Sequence, residues 1–333
     1  MTEFDLIRRY FTRPTPGALL GVGDDAALLQ VSEGNVLAVS TDMLVSGTHF
    51  FPDADPFLLG HKTLAVNLSD MAAMGALPRW VTLAIALPDA DDAWLEKFSA
   101  GFFSLAQQYA VELVGGDTTR GPLNLCVAIM GEVPRGRALL RSGAQAGDEI
   151  WVSGRLGDAA LALAHLQRRI ALTEAEFDAC AQALHQPQPR VALGLALRGI
   201  ANCAIDISDG LLADLGHILE CSNVGAGIQF DTLPVSDVLR SLSRADAHPS
   251  PASEREVEGE GSLVQRCVLS GGDDYELCFT APVMRHADIL SISTRLELPL
   301  TCIGKVVAGR GCIVHDAAGN TLNLESGGYD HFR

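Results

Sequence analysis

No Cys-x-x-Cys pair occurs among the eight cysteines of this 333-residue chain. Most of the thiols lie inside apolar runs, as Cys126 does in LNLCVAIM and Cys278 in YELCFT. That usage disfavours a disulfide framework or a thiolate zinc site and predicts buried, reduced thiols in a cytoplasmic protein. Basic residues are scarce: 24 Lys and Arg stand against 41 Asp and Glu, a formal charge of −17. The basic runs go no further than short pairs such as Arg8-Arg9 and Arg168-Arg169. The chain therefore lacks the patch that displaces counterions from nucleic acid or anionic lipid, and neither is expected as a partner. No apolar stretch reaches membrane-spanning length without a charge or turn former. The opening MTEFDLIRRYF has no apolar core followed by a small-residue cleavage site, so no signal peptide is expected. Missing motifs narrow the chemistry further. The absence of G-x-x-x-x-G-K-S/T and of an H-R-D loop excludes P-loop and protein-kinase readings. Without G-x-S-x-G or H-E-x-x-H, hydrolase and zincin readings are weak as well.

What the chain has in abundance is apolar residues (48%), enough to fill the cores of two domains of ordinary size. β-Branched apolar runs predict strands at 36–41, 80–87, 111–116, 125–133, 149–154, 203–208, 224–230, 275–280 and 302–307. Helical periodicity predicts helices at 56–74, 92–109, 157–169, 173–184, 189–200, 209–221 and 283–297, with Asp209 as the cap of the helix it opens. The fold class is mixed α/β (α+β). The basic, glycine-rich segment 134–148 is the expected boundary, giving domains 1–135 and 148–333 joined by a linker at 136–147. Residues 244–262, rich in Pro, Ser, Glu and Gly, read as a mobile surface loop.

One pattern recurs: an apolar run, a small residue or two, then an aspartate. It appears at Asp42, Asp70, Asp117, Asp206 with Asp209, and Asp273 with Asp274; Asp24-Asp25 in GVGDDAAL is a variant without a long preceding strand. Each tract is expected to place a carboxylate where a buried element emerges, with Gly, Ser or Thr permitting close approach. Any one of them alone reads first as a cap or turn residue, which is what Asp usually does at such places. If they converge, so many carboxylates cannot share a site without cations, and oxygen-only donors select hard ions, Mg²⁺ first. Magnesium held this way bridges nucleotide phosphates, and phosphoryl transfer needs little covalent chemistry from the protein. The glycine pairs of GGDTTRG (115–121) and SGGDDYEL (270–277) would let backbone amides approach phosphate oxygens. Arg141 is either a surface residue or a phosphate contact, and His49 either structural or a substrate contact. Tyr329 either packs the tail or offers an aromatic face to a cationic ring.

In order, the tracts GVGDDAAL, STDMLVSGTHF, NLSDMAAMGA, GGDTTRGP, DISDGLLADLGH and SGGDDYELCF resemble those of bacterial thiamine-monophosphate kinases, of the aminoimidazole-ribonucleotide-synthetase-like superfamily. The resemblance runs over nearly the whole chain. It implies two αβ domains, with the N-terminal mixed sheets of a homodimer forming a shared β-barrel and a helix-covered C-terminal sheet completing the active site. It also implies ATP bound with several Mg²⁺ ions, and direct transfer of its γ-phosphoryl group to thiamine monophosphate. By position, Asp25, Ser40, Thr41, Asp42, Asp70, Asp117, Asp206 and Asp209 match metal ligands of the family. Gly116, Asp117, Arg141 and Ser208 match nucleotide contacts, while His49, Asp273 and Tyr329 match the thiamine-phosphate pocket. Where relatives carry Gly-Gly-Glu-Asp, this chain has Gly271-Gly272-Asp273-Asp274, one methylene shorter. No general base is expected, because the attacking group is already a phosphate oxyanion. Other members of the superfamily act on a ribonucleotide amide or make selenophosphate. The latter chemistry wants a reactive cysteine near the N-terminus, and the first cysteine here is Cys126.

Overall fold

Two kinds of hydrophobic pattern, period-two strands and period-3.6 helices, are realised in two separate αβ units, Met1–Ala138 and Leu139–Arg333. The computed structural model describes residues 2–246 and 262–322. None of the described helices is long and apolar enough to cross a membrane.

The first unit opens with an element the sequence patterns do not predict. This short helix (α1, Glu3–Leu6) is started by a reciprocal Thr2–Asp5 capping box and widens into a π-helical turn over Ile7–Phe11. Then follow β1 (Asn35–Val45), α2 (Pro56–Ala73), β2 (Leu77–Leu87), α3 (Asp92–Gln108), β3 (Glu112–Arg120) and β4 (Asn124–Pro134). The strands lie in the order β1-β4-β2-β3; only β2 and β3 run parallel. Asp55 and Asp91 cap α2 and α3 by accepting main-chain N–H groups of their first turns. Helix α2 is buried from Leu59 to Ser69 because it packs against both the sheet and α3. Glycines make that approach feasible: a Cβ at Gly60 would lie 2.1 Å from the Phe98 carbonyl, and one at Gly101 would lie 1.9 Å from that of Phe57. The core of this unit is built on Trp80, Phe98, Phe102, Leu64, Leu68 and Met71.

The second unit holds β5 (Glu149–Ser153), α4 (Asp158–Leu166), α5 (Glu174–His185), α6 (Val191–Leu197), β6 (Cys203–Asp206), α7 (Leu211–Ser222) and β7 (Gly225–Gln229). The remainder is α8 (Asp237–Asp246), α9 (Leu263–Leu269), β8 (Leu277–Ala281), α10 (His286–Leu296), β9 (Leu300–Val307) and β10 (Gly311–His315). Its sheet runs β10-β7-β9-β5-β8-β6, antiparallel except between β10 and β7. Every residue of β5 is buried, as befits an inner strand covered on both faces.

Several elements depart from the sequence patterns. α8, α9 and β10 are additional. α8 is polar enough to read as loop, α9 is short, and β10 has only five residues, the first of them Gly311. The segment expected as a helix from 189 is helical only over Val191–Leu197, where Gly199 at φ 73° turns the chain away. The strand expected from 275 starts at Leu277, because Asp273 and Tyr275 adopt left-handed backbone angles (φ 68° and 49°). Of the 244–262 segment, α8 continues to Asp246 and Ser262 caps α9; the remainder, and Tyr329, lie outside the described residues. Cys180, Cys203, Cys267 and Cys278 are buried, whereas Cys221 is exposed against expectation. Burial pushes the Cys180 and Cys267 thiols up to about 12, so they stay protonated and inert.

Candidate functional site

Strand alternation sorts the acidic residues of the first unit. Ser40 and Asp42 are two apart on β1 and share the face covered by α2, where the Ser40 hydroxyl donates to the Asp70 carboxylate at 2.5 Å. Asn67, one turn before Asp70 on α2, accepts the N–H of Asp42 at 3.3 Å. Its own amide donates to the Thr63 carbonyl, so a polar stripe of Thr63, Asn67 and Asp70 runs along an otherwise apolar helix. Asn67 was not singled out in the sequence; its spacing from Asp70 was the available signal.

Thr41 and Asp117 belong to the opposite face. Across the sheet, Asp117 is level with Ala84, Cys126 and Met43, while Asp42 is level with Val127, Leu83 and Gly116. β1 and β3 are the two end strands, so Thr41 and Asp117 are separated by three strand spacings, about 14 Å across the sheet, and by two residues along it. Asp24 and Asp25 are exposed in a turn closed by a Leu20–Leu28 bridge. Among the described residues no three His, Cys, Asp or Glu side chains converge as a preformed metal cage. Contrary to expectation, the aspartates do not all mark the ends of buried elements. Asp42 and Asp117 lie within strands and Asp70 within a helix, because a half-covered sheet tolerates polar side chains along its length.

The donor set of this unit suits a hard divalent cation. Asp42 and Asp70 are half-buried oxygen donors, and the nearest thiol, Cys126, is pushed up by burial and then by the Asp42 charge, so it offers no thiolate. His49 is held by its own loop: the Val45 N–H donates to Nδ1 at 3.0 Å, and the His49 N–H returns to the Val45 carbonyl. A neutral imidazole accepting at Nδ1 carries its proton on Nε2, which makes His49 a hydrogen-bond donor at the ring's far edge.

Packing requires at least one glycine in each Gly-Gly-Asp tract. A Cβ at Gly116 would sit 1.9 Å from the Leu83 carbonyl of the neighbouring strand. In the second unit, a Cβ at Gly271 would meet the Cys267 carbonyl and one at Gly272 the Ser208 carbonyl, each at 2.3 Å. The Asp273 N–H already donates to that Ser208 carbonyl at 2.9 Å. The left-handed angle at Asp273 suits Asp better than Glu, because its short side chain tolerates that conformation.

In the second unit the structure brings Asp206, Ser208, Asp209 and Asp273 to one end of the sheet. β6 ends at Asp206, the 207–210 loop follows, and the 270–276 loop pairs with it through Tyr275 N–H to Ile207 O and Ile207 N–H to Glu276 O, both 2.8 Å. Glu276 is anchored by a bidentate Arg190 ion pair and by the Ser153 hydroxyl. Asp274 is buried, with both carboxylate oxygens near the Gly157 N–H, and burial pushes it well above the usual carboxylate range. Asp209 is not the cap of α7. Gly210 occupies that position without a side-chain cap, and the buried Asp214 supplies the acceptor instead; burial pushes its carboxyl up to about 7. Arg141 is exposed and its backbone lies beside Ser222, at the opposite end of the twelve-residue α7 from Ser208, about 18 Å away.

With that geometry in view, the comparisons with known proteins are decisive. A family model described as AIR synthase related protein, N-terminal domain, matches residues 23–133. The thiamine-monophosphate kinase of Escherichia coli (strain K12) is 49% identical over 336 residues, covering 99% of this chain and 98% of that protein. The chain belongs to the thiamine-monophosphate kinase family. A crystal structure of a family member from Stenotrophomonas maltophilia K279a is 47% identical, with a TM-score of 0.80 over 96% of both chains. A further structure, AaThiL complexed with AMPPCP and TMP, is 30% identical, with a TM-score of 0.76 over 99% of this chain and 96% of that one. The family's fold therefore extends through both units of this chain.

Proposed function

We propose that this protein is a cytoplasmic enzyme of thiamine diphosphate synthesis, transferring the γ-phosphoryl group of ATP directly to thiamine monophosphate. The observation that carries the reading is full-length similarity at 49% identity to a thiamine-monophosphate kinase, joined to a relative solved with AMPPCP and TMP. An oxyanion of the thiamine monophosphate phosphate forms the new P–O bond as the bond between the γ-phosphorus and the ADP oxygen breaks. The nucleophile carries no proton to remove, so the chain needs no general base, and positioning is its main task.

Both substrates are anionic and the chain carries a charge of −17, so cations must stand between them. Asp25, Ser40, Thr41, Asp42, Asp70 and Asp117 in the first unit, and Asp206 and Asp209 in the second, are the residues proposed to hold Mg²⁺. When bound, the ions neutralise phosphate charge. Gly116, Asp117, Arg141 and Ser208 are assigned to the nucleotide. His49, with its Nε2–H donor, is assigned to thiamine monophosphate with Asp273 and Tyr329, the last two suited to a cationic thiazolium ring.

The reading includes a homodimer. Opposite α2, the first sheet exposes Leu37 (43%), Val39 (61%) and Met43 (51%), a patch suited to burial against a second copy. Pairing β1 of one copy with β3 of the other would close an eight-stranded barrel. Thr41 of one copy and the Asp117 position of the other would then share the barrel's inner face.

The test is formation of thiamine diphosphate from ATP and thiamine monophosphate. Product in Mg²⁺ and none in EDTA is expected; no product in excess Mg²⁺ overturns the kinase reading. Asp42→Asn and Asp70→Asn should each lower the rate by orders of magnitude with an unchanged circular dichroism spectrum, since removing a repelling carboxylate does not harm the fold.

A further inference from the structure

We propose that Asp214 is a positioning residue that locks the main chain of the 207–210 loop, leaving Ser208 Oγ and the Asp209 carboxylate as the groups this loop offers to ligands. The proposal rests on the assignment of Ser208 to the nucleotide and Asp209 to the metal.

Asp214 stands in the first turn of α7 and is 3% exposed. Its Oδ2 accepts three successive main-chain N–H groups: Ser208 at 3.0 Å, Asp209 at 3.0 Å and Gly210 at 3.1 Å. Successive N–H groups converging in this way form a nest, the arrangement that elsewhere grips an anion; here the protein's own carboxylate occupies it. The carbonyl side of the loop is engaged as well. Ser208 O accepts the Asp273 N–H at 2.9 Å, and Ile207 exchanges both of its main-chain bonds with Tyr275 and Glu276.

Little room is left for the loop to shift. A Cβ at Gly210 would lie 2.7 Å from the Ser270 carbonyl carbon, and one at Gly272 would lie 2.3 Å from the Ser208 carbonyl oxygen. Both main-chain groups of Ser208 are therefore spent inside the protein, and the Asp209 N–H is spent too. Ser208 and Asp209 remain half-buried, with side chains beyond the locked backbone. Recognition at this loop then runs through a hydroxyl and a carboxylate whose origins are fixed in advance, which is how an outer ring of hydrogen bonds supports a site.

Asp214→Asn keeps an acceptor oxygen where Asp214→Leu removes it, and the pair is compared in the full-length enzyme. Asp214→Asn should keep the KM for ATP within about twofold, whereas Asp214→Leu should raise it at least about tenfold, the scale of losses when an outer-ring partner is removed. Amide hydrogen exchange over residues 208–210 should quicken in the Leu variant alone. Combining Asp214→Leu with Ser208→Ala should raise the KM no further than the larger single effect, because both act through Ser208. A folded Leu variant with unchanged KM, or fully additive effects, overturns the proposal. Failure of both Asp214→Leu and Asp214→Ala to fold also overturns it, since Asp214 would then serve the fold as a whole. If the wild-type enzyme makes no thiamine diphosphate, the kinase reading fails instead, and amide exchange alone decides whether Asp214 locks the loop.

Discussion

Asp24 and Asp25 are adjacent in GVGDDAAL and both exposed, so burial class does not separate them. The proposed assignment does: Asp25 is proposed as a metal ligand and Asp24 is not. Asp25→Asn is expected to raise the Mg²⁺ concentration needed for half-maximal rate at least about tenfold, while Asp24→Asn changes it by less than about twofold. Equal shifts in a Mg²⁺ titration would show the distinction to be wrong. Asp274, beside the assigned Asp273, has a different role. Burial raises its folded-state value well above the ordinary value of about 4, so the folded protein holds a proton that the unfolded chain releases. Its contribution to stability is best below pH 4 and falls as pH rises from there toward the raised value. Asp274→Asn, which cannot ionise, should flatten that decline. In the metal-free protein its melting temperature relative to wild type should rise between pH 4 and pH 8. A constant offset across that range would count against a neutral Asp274.

Among the elements, the Gly-Gly-Asp tract of β3 shows how a turn-like signal can be a strand requirement. Gly116 has φ 154° and its missing Cβ admits the Leu83 carbonyl, whereas a Cβ at Gly115 would meet Thr82 Cγ2 at a comfortable 3.8 Å. Gly116→Ala is therefore expected to cost about 1–3 kcal/mol, the usual scale for an overpacked site, and Gly115→Ala considerably less. Thermal unfolding of the two variants decides the matter; equal losses would point to chain entropy at both positions instead. Most helices and strands were readable because their periodicity is strong, as in α2, with Asp55 and Pro56 at its start. Asp214 was not readable as an acceptor. It lies four residues past Gly210, and a carboxylate one turn into a helix looks like any first-turn acid until the chain folds back over it.

For the whole molecule, the exposed apolar face of the first sheet is the feature one copy leaves unresolved. The proposed dimer predicts that light scattering finds a dimer for the wild type and a monomer for Val39→Asp, with the circular dichroism spectrum preserved because Val39 is not part of the unit's own core. If the metal set is completed across the dimer, co-refolding inactive Asp42→Asn and Asp117→Asn variants should restore part of the activity through mixed dimers. No recovery would leave each site within one chain.

By itself the amino-acid order determined the acidic balance, the alternation of helices and strands, and the run of aspartate tracts by which the family is recognised. Those properties are local: a hydrophobic period or a motif needs only neighbouring residues. The tertiary structure decided which aspartates share a face. Strand parity and register put Asp42 with Asp70, and Asp117 across the sheet from both. It also decided that Asp209 caps nothing while Asp214 holds its amide, since a buried N–H must find an acceptor and the fold alone determines which one lies within reach.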